Sequence, residues 1–248
     1  MDEPPLLIWT SASACHIGKV RKVNEDACLD MPELGLWAVA DGMGGHQAGD
    51  FASKTVVEHL LLLGLAADLN SFVQQIRTQL EVANGVIRAE SIRRNQPVGS
   101  TVAVLAAYGY TAACIWAGDS RIYRQRGGLL ERLTQDHSLV APETGAYAQE
   151  YAGNNVITRA VGPEDELNLD MNFTELRHGD TFLLCTDGLY KELEEDELAA
   201  MLSQQCTSEN NAHQEGAEEK VRALVDAALA HGGHDNLSAV VVKFFSAF

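Results

Sequence analysis

Acidic residues recur at the ends of short apolar runs along this sequence. One aspartate after an apolar strand is ordinary turn chemistry, so a single position would indicate only a turn. Strand ends can, however, meet at one rim of a sheet, and hard divalent ions such as Mg²⁺ and Mn²⁺ prefer oxygen ligands. The recurrence therefore predicts a divalent-metal site. Its candidate residues are Asp41, Asp119, Asp187 and Asp235, with the pair Glu25-Asp26 nearer the start of the chain.

Histidines and glycines lie close to these acids in sequence, but they indicate neither a zinc site nor a nucleotide site. His46, His137 and His234 fit no zinc-ligand spacing, so we expect structural or supporting roles for them. The glycine-rich stretch 42–49 is not followed by the Gly-Lys-Ser/Thr of a phosphate-binding loop, which argues against nucleotide binding. We expect these glycines to let the backbone approach the metal.

Strand patterns come in blocks, and these blocks must position the acids. Strands are predicted where aliphatic, Thr and aromatic residues run between Gly or Asp, at 36–40, 101–107, 110–117, 121–126, 181–185 and 238–245. Gly127-Gly128 and Tyr108-Gly109 are typical of hairpin turns, so neighbouring strands should pair antiparallel.

Helical periodicity lies between the strand blocks. It predicts a first helix over about 48–63 and a second over 72–87, which starts at Asn70-Ser71. A third helix is predicted over 218–231 and ends at Gly232-Gly233. Strand runs interrupted by helix pairs favour an α+β layered domain with a largely antiparallel sheet. Because the sequence has no repeat or linker, we interpret residues 1–248 as a single domain.

The composition restricts the classes of partner. The 248 residues are 46% hydrophobic, and 35 acidic against 18 basic residues give a net charge of −17. This charge repels nucleic acid and anionic lipid, so we expect no nucleic-acid and no membrane partner, whereas cations or basic partners are favoured. The apolar run 60–67 is shorter than the roughly 20 residues of a membrane-spanning helix. The acidic N-terminus lacks the features of a secretory signal, and we expect a cytoplasmic protein.

The cysteines are odd in number and far apart in the sequence. No Cys-x-x-Cys pair indicates zinc or redox chemistry. We therefore expect small apolar residues that are kept reduced. They are Cys15, Cys28, Cys114, Cys185 and Cys206.

Short motifs surround the candidate acids over positions 18 to 238. They are GKVRKVNED (18–26), DGMGGH (41–46), GST (99–101), GDSR (118–121), TQDHS (134–138), TRAVG (158–162), CTDGL (185–189) and GHDNLS (233–238). In content and order they resemble the metal-dependent PPM, or type 2C, protein phosphatase family in its compact bacterial form. This resemblance implies a central β-sandwich of two mostly antiparallel sheets, flanked by helix pairs, with the metal site at one end.

The resemblance also implies a set of metal ligands. Asp41 would bridge two ions, with the Gly42 carbonyl on one ion and Asp187 and Asp235 on the other. The expected cofactors are Mn²⁺ or Mg²⁺, as two core ions.

Further roles follow from the same resemblance. Glu25 would act as a ligand through water, and Asp119 together with Asp187 would hold a weaker third ion. Two core ions together would lower the pKa of a shared water, so that hydroxide is available near neutral pH.

Three more residues receive roles from the family pattern. Asp26 would orient the attacking water or take its proton. Arg21 would grip the phosphate, because a planar guanidinium can bind it through two parallel hydrogen bonds. Asn236 would hold its neighbour Asp235 in place.

The chain departs from the family pattern in two places. Many members carry a histidine at the position of Met43, where it is proposed to protonate the leaving group, and methionine cannot donate a proton. The stretch 139–155, which corresponds to a mobile flap beside the site, is shorter than in many bacterial relatives.

We therefore expect an enzyme that hydrolyses phosphoserine and phosphothreonine in proteins, which makes it a protein serine/threonine phosphatase. Its expected partners are phosphorylated protein substrates, with a bacterial Ser/Thr kinase or the targets of that kinase. Some stand-alone relatives of this size reverse kinase switches in secretion systems, which is a further hypothesis here.

Two alternative functions stay open at this point. A catalytically inactive relative could bind phosphoproteins, although the intact Asp41, Asp187 and Asp235 argue against it. A metallohydrolase of small phosphate esters would differ in its turnover of phosphopeptides and free metabolites.

Overall fold

A computed structural model describes residues 6–45, 47–139, 156–204 and 212–247 of the chain. The helices are α1 Gln47–Leu60, α2 Leu69–Arg94, α3 Asp187–Tyr190, α4 Glu195–Ser203 and α5 Ala212–His231. None of the helices in this part of the chain is long and apolar enough to cross a bilayer. The strands are β1 Leu7–His16, β2 Asp26–Met31, β3 Leu36–Met43, β4 Gly99–Ser100, β5 Val102–Tyr108, β6 Thr111–Ala117, β7 Arg121–Arg126, β8 Leu129–Arg132, β9 Ser138–Leu139, β10 Val156–Ile157, β11 Asp170–Glu175, β12 Thr181–Cys185 and β13 Leu237–Ser246.

The described strands form two large sheets that pack face to face. One sheet has the order β1-β13-β12-β7-β8, and the other has the order β11-β6-β5-β3-β2 with β4 paired to the end of β3. A short ribbon pairs β9 with β10. Among these strands every pairing is antiparallel. The predicted α+β class with two mostly antiparallel sheets is therefore confirmed.

Large side chains from both sheets fill the space between them. Trp37 and Val39 of β3 point into this space, whereas their neighbours Leu36 and Ala38 pack on the helix side. Trp37 meets Phe244 of β13 edge to face, with ring centroids 6.1 Å apart. Because β3 is covered on both faces, its sequence is a continuous apolar run instead of an alternating one.

Helices cover the outer faces of the sandwich. α1 and α2 pack on β3 and β5 through a core that includes Val56 and Ile76. α5, together with α3 and α4, covers the other sheet through a core that includes Leu198 and Leu224. The layers are therefore helix, sheet, sheet and helix, as the family resemblance implies.

Several helices and strands were not predicted from the sequence, or begin at a different residue. β11 has only exposed or half-exposed side chains, so it presents no apolar run, and α3 is a single turn. α2 begins at Leu69, ahead of the predicted Asn70-Ser71 start, because Asp68 is the N-cap and accepts the Ser71 N–H at 2.7 Å. The other described elements without a sequence prediction are β1, β2, β4, β8, β9, β10 and α4.

The cysteine prediction is wrong for one pair. Cys15 and Cys28 form a disulfide bond, since β1 and β2 are edge strands of different sheets that bring the two Cα atoms within 6.6 Å. Cys114 and Cys185 are buried and free, as predicted, and burial raises the pKa of Cys114 to about 12. Cys206 lies outside the described residues.

A buried asparagine of α2 holds the loop that follows β10. Asn84 is 3% exposed, and its Oδ1 accepts the Gly162 N–H at 2.6 Å while its Nδ2 donates to the Glu164 carbonyl at 2.9 Å. Gly162 has a φ of 110°, a conformation that favours glycine. The same loop borders a groove next to Met43. One side chain from a helix therefore fixes the wall of a groove at the end of β3.

We expect Asn84→Ala to lower the free energy of unfolding by about 2 kcal/mol, because the buried Gly162 N–H loses its acceptor. Asn70→Ala, at the exposed start of the same helix, is the matched control and should change the free energy by less than about 0.5 kcal/mol. Urea unfolding curves measure both. Equal midpoints for the two variants would contradict this role of Asn84.

Candidate metal centre

Strand pairing gathers the predicted acids at one end of the sandwich. Asp26 and Asp41 lie opposite each other where β2 pairs with β3. β12 ends where β13 begins, which brings Asp187 after β12 near Asp235 before β13. The start of β7 meets the same end of β12, so Asp119 joins them. The other four aspartates all lie close enough to Asp41 to act on it through their negative charge.

Close backbone contacts join the segments that carry these acids. A Cβ atom on Gly42 would lie 2.0 Å from the Gly49 carbonyl oxygen, and the Gly42 N–H donates to the Glu25 carbonyl at 3.0 Å. A Cβ atom on Gly188 would lie 2.0 Å from the Asn236 carbonyl oxygen. At both positions only glycine lets one backbone segment approach the next this closely.

Asn236 braces the acidic end of the sandwich. It is 5% exposed, and its backbone N–H donates to Asp235 Oδ1 at 2.8 Å. Its side-chain Oδ1 accepts the Glu25 N–H at 2.8 Å, and its Nδ2 donates to the Ile17 and Val23 carbonyls at 2.9 and 3.0 Å. Besides contacting Asp235, Asn236 therefore fixes the loop between β1 and β2, which carries Glu25.

Thr186 is a residue of the site that sequence reasoning missed. It is fully buried, and its hydroxyl donates to Asp26 Oδ2 at 2.8 Å. The hydroxyl oxygen also accepts the Ser238 N–H at 3.1 Å. Its position directly before Asp187 in a matching motif was the available signal, but a threonine there has no chemistry until Asp26 is placed beside it. Thr186 therefore orients Asp26.

The negative charges of the acids are poorly compensated. Burial, with the charges of Asp187 and Asp235, raises the pKa of Asp26 to about 7. Burial and the charge of Asp187 raise the pKa of Asp119 to about 6. Burial and the neighbouring aspartates raise the pKa of Asp41 well above its ordinary value. In each case the protein disfavours the ionised form, so a cation at this end would relieve a real electrostatic cost.

Two basic side chains supply part of the missing positive charge. Arg21 Nη2 lies 2.6 Å from Asp235 Oδ2, and Lys191 Nζ lies 2.5 Å from Asp187 Oδ2. The structure thus brings Arg21 to the acidic end. Lys191 is absent from the predicted set, although its spacing of four residues from Asp187 in the sequence was a usable signal.

The donor set fits a hard divalent cation in chemistry. Asp26 Oδ1 and Asp119 Oδ1 are buried oxygens that have no hydrogen-bond partner among the described residues. Within the same residues, no three His, Cys, Asp or Glu side chains already stand in a group that would enclose an ion. Two of the carboxylates instead face Arg21 and Lys191. Carboxylate oxygens that are buried, mutually repelling and without partners are what Mg²⁺ or Mn²⁺ would satisfy.

The histidines contact other groups, in line with the structural roles expected for them. His137 stacks on Trp116, and its Nε2 lies 3.1 Å from Asp170 Oδ2. His234 Nδ1 lies 2.7 Å from Glu192 Oε1. His46 and residues 140–155 of the expected flap lie outside the described residues.

Comparison with known proteins identifies the family. The model of the family described as Protein phosphatase 2C matches residues 16–226. The serine/threonine phosphatase Stp of Listeria innocua is 31% identical over 245 residues, which cover 91% of this chain and 92% of that protein. The protein phosphatase PhpP of Streptococcus pneumoniae is 31% identical over 241 residues, which cover 92% of this chain and 94% of that protein.

Solved structures agree with this result. PppA, described as a key regulatory component of T6SS in Pseudomonas aeruginosa, is 45% identical with a TM-score of 0.84, covering 96% of this chain and 98% of that chain. The catalytic domain of the phosphatase PstP, in complex with two manganese ions, is 28% identical with a TM-score of 0.80, covering 97% of this chain and 100% of that chain.

A sandwich of two antiparallel sheets between helix layers, with carboxylates gathered at one end, is the architecture of a metal-dependent serine/threonine protein phosphatase. The chain belongs to the protein phosphatase 2C family. Its substrates are accordingly phosphoproteins, and its activity depends on metal.

We expect Mn²⁺ at about 100 times its dissociation constant to raise the melting temperature of metal-free protein by about 5–10 °C, since binding then stabilises the fold by about 2.7 kcal/mol. Asp41→Asn should lose most of this shift. It should also melt at a higher temperature than wild type without metal, because a repelling charge is gone. Both effects are measured by scanning fluorimetry.

Asp226→Asn is the control for this measurement, because Asp226 is an exposed acid on α5. It should behave like wild type with and without Mn²⁺. A full Mn²⁺ shift in Asp41→Asn would show that Asp41 is no part of the metal centre.

Proposed function

We propose that this enzyme hydrolyses phosphoserine and phosphothreonine in proteins at the acidic end of the sandwich. The observation that carries the proposal is the convergence of Asp26, Asp41, Asp119, Asp187 and Asp235 there, with poorly compensated charge. Such a cluster of like charges destabilises the fold unless it binds a cation. Bound divalent cations can in turn catalyse the hydrolysis of phosphate esters.

The proposed ligands of two core ions are Asp41, the Gly42 carbonyl, Asp187 and Asp235, with Glu25 acting through water. Asp119 and Asp187 would hold a weaker third ion. When bound, Mn²⁺ or Mg²⁺ supplies hydroxide near neutral pH and neutralises charge on the phosphate. The manganese ions of the PstP structure support the choice of metal.

Asp26 is the proposed base or orienting group for the attacking water. Its Oδ2 is fixed by the Thr186 hydroxyl, which leaves Oδ1 without a protein partner among the described residues. A carboxylate held through one oxygen, with no protein partner at the other, can receive a proton in a defined direction. Asp26 is thus positioned by β2 and oriented by Thr186.

Arg21 is the proposed phosphate clamp. Its side chain is 50% exposed and pairs with Asp235, so it can turn toward a phosphate without losing a buried contact. A cation bound to Asp235 would weaken this pair and release the guanidinium. Arginine binds phosphate through two parallel hydrogen bonds, which lysine cannot imitate.

The groove beside Met43 is the proposed place for the peptide around the phosphorylated residue. Arg159, which lines it, is already paired with Asp170 at 2.8 Å, whereas Glu164 and Glu166 are exposed acids on its wall. With a chain charge of −17, basic sequences around the phosphosite would be favoured.

Opposition to a bacterial Ser/Thr kinase is part of the proposal, since a phosphoprotein phosphatase needs a source of its substrates. The similarity to PppA favours a role in T6SS control. This role would place the kinase and its targets in the same system as the phosphatase.

The experiment is release of phosphate from phosphothreonine and phosphoserine peptides by the metal-stripped enzyme, with Mn²⁺ or Mg²⁺ added back. We expect hydrolysis only after metal addition, and a loss of at least about 100-fold in kcat/KM for Asp187→Asn, because charge stabilisation at the phosphate is lost. Asp196→Asn, an exposed acid of α4, is the control with unchanged activity.

Each alternative function has its own outcome in this assay. Binding of phosphopeptide without hydrolysis under every metal condition would favour the inactive, phosphoprotein-binding relative. Faster turnover of glucose 6-phosphate than of any phosphopeptide would favour a metallohydrolase of small esters. Either result would overturn the proposed function.

A further inference from the structure

Lys191 is a basic residue that a well-packed turn places next to the candidate metal centre. It directly follows α3, its N–H donates to the Asp187 carbonyl at 2.9 Å, and its Nζ lies 2.5 Å from Asp187 Oδ2. The turn cannot shift easily, because Leu189 is fully buried and Gly188 lies against the backbone of Asn236. The side chain of Lys191 is 47% exposed, so it has room to turn away from the acids.

The residue before Lys191 is held from the other side. The Tyr190 ring lies under the Arg121 guanidinium, whose central carbon is 3.6 Å from the ring centroid. Arg121 is in turn paired with Asp136 at 2.7 Å. The turn that carries Lys191 is therefore held by Leu189 and Gly188 and by the contact of Tyr190 with Arg121. The Lys191 backbone has a defined position beside Asp187.

The Lys191 ammonium interacts with more than its nearest acid. Besides the paired Asp187, the negative charges of Asp119 and Asp235 also attract it. Asp119 is 1% exposed, and its Oδ1 has no hydrogen-bond partner in the described part of the chain. A buried carboxylate oxygen without a protein partner can accept a hydrogen bond from water or bind a cation.

We propose that Lys191 is an internal counter-ion that competes with a divalent cation for the position between Asp119 and Asp187. An ion held by both acids must take Asp187 Oδ2 from the ammonium, because two cations repel each other at such short range. This inference rests on the proposed function. It adds that Lys191 weakens metal binding at the outer position, which is the one between Asp119 and Asp187. The core positions around Asp41 would then fill at lower metal concentration than the outer one.

The chain offers a matched control for this proposal. Lys54 and Asp50 form an ion pair with the same spacing of four residues on α1, at 2.7 Å, and Lys54 is 59% exposed. Such an exposed pair contributes little and has no cation to displace. The two lysines are similarly exposed, at 47% and 59%, and each pairs with an aspartate. They differ in the further acids near Lys191, which are Asp119 and Asp235.

The test is Mn²⁺ titration by calorimetry of wild type, Lys191→Met, Lys191→Arg and Lys54→Met. We expect Lys191→Met to lower the dissociation constant of the weakest Mn²⁺ position by about tenfold, because a nearby like charge is removed. Lys191→Arg keeps the charge and should stay within about twofold of wild type. Lys54→Met should leave every dissociation constant unchanged.

A second readout uses melting temperatures. Lys191→Met should melt at a lower temperature than wild type without metal, because the acids lose their counter-ion, and should gain a larger shift from Mn²⁺. A purely structural role of Lys191 would instead lower both temperatures equally.

The outcomes separate this inference from the proposed function. If wild type binds no Mn²⁺, the metal centre itself is refuted. If wild type binds Mn²⁺ and Lys191→Met gives the same isotherm, or a weaker one, only the competition by Lys191 is refuted.

Discussion

Carboxylates repel each other most strongly where water is excluded, and this fold brings several of them to one end of its sandwich. Burial, together with this repulsion, raises the pKa values of Asp26, Asp41 and Asp119. Their positions follow from strand pairing, so the cost cannot be relieved by small movements of side chains. The acids therefore need positive charge nearby. Arg21 and Lys191 supply part of it, and bound cations would supply more.

The rest of the sandwich holds this unfavourable arrangement in place. Packing of Trp37, Phe182 and Phe244 between the sheets stabilises the strands whose ends carry the acids. Asn236 and the close approach at Gly188 then fix the loops locally. Strain of this kind is typical of functional sites, where stability is sacrificed to hold reactive groups together.

The sequence predicted what local patterns encode. Buried strands such as β3 and β12 are continuous apolar runs, and the acids lie in motifs whose order matches the family. Features that depend on distant parts of the chain escaped prediction. The disulfide between Cys15 and Cys28 needs two edge strands from different sheets. The exposed strand β11 has no apolar run to reveal it.

The residues of the site likewise include some that the sequence reveals and some that only the fold reveals. Asp41 and Asp187 stand out in the sequence because each follows an apolar run and precedes glycine. Thr186 and Lys191 acquire their roles only from the acids that the fold places beside them. The role of Asn236 is wider than predicted, because its side chain reaches a loop more than two hundred residues away in sequence.

We propose that these acids hold two metal ions that share Asp41. The most direct measurement is anomalous diffraction at the manganese absorption edge from crystals of the wild-type protein grown with Mn²⁺. We expect two strong anomalous peaks next to the Asp41 carboxylate, with the Gly42 carbonyl near one and Asp187 and Asp235 near the other. Anomalous peaks elsewhere on the protein, with none beside Asp41, would contradict it.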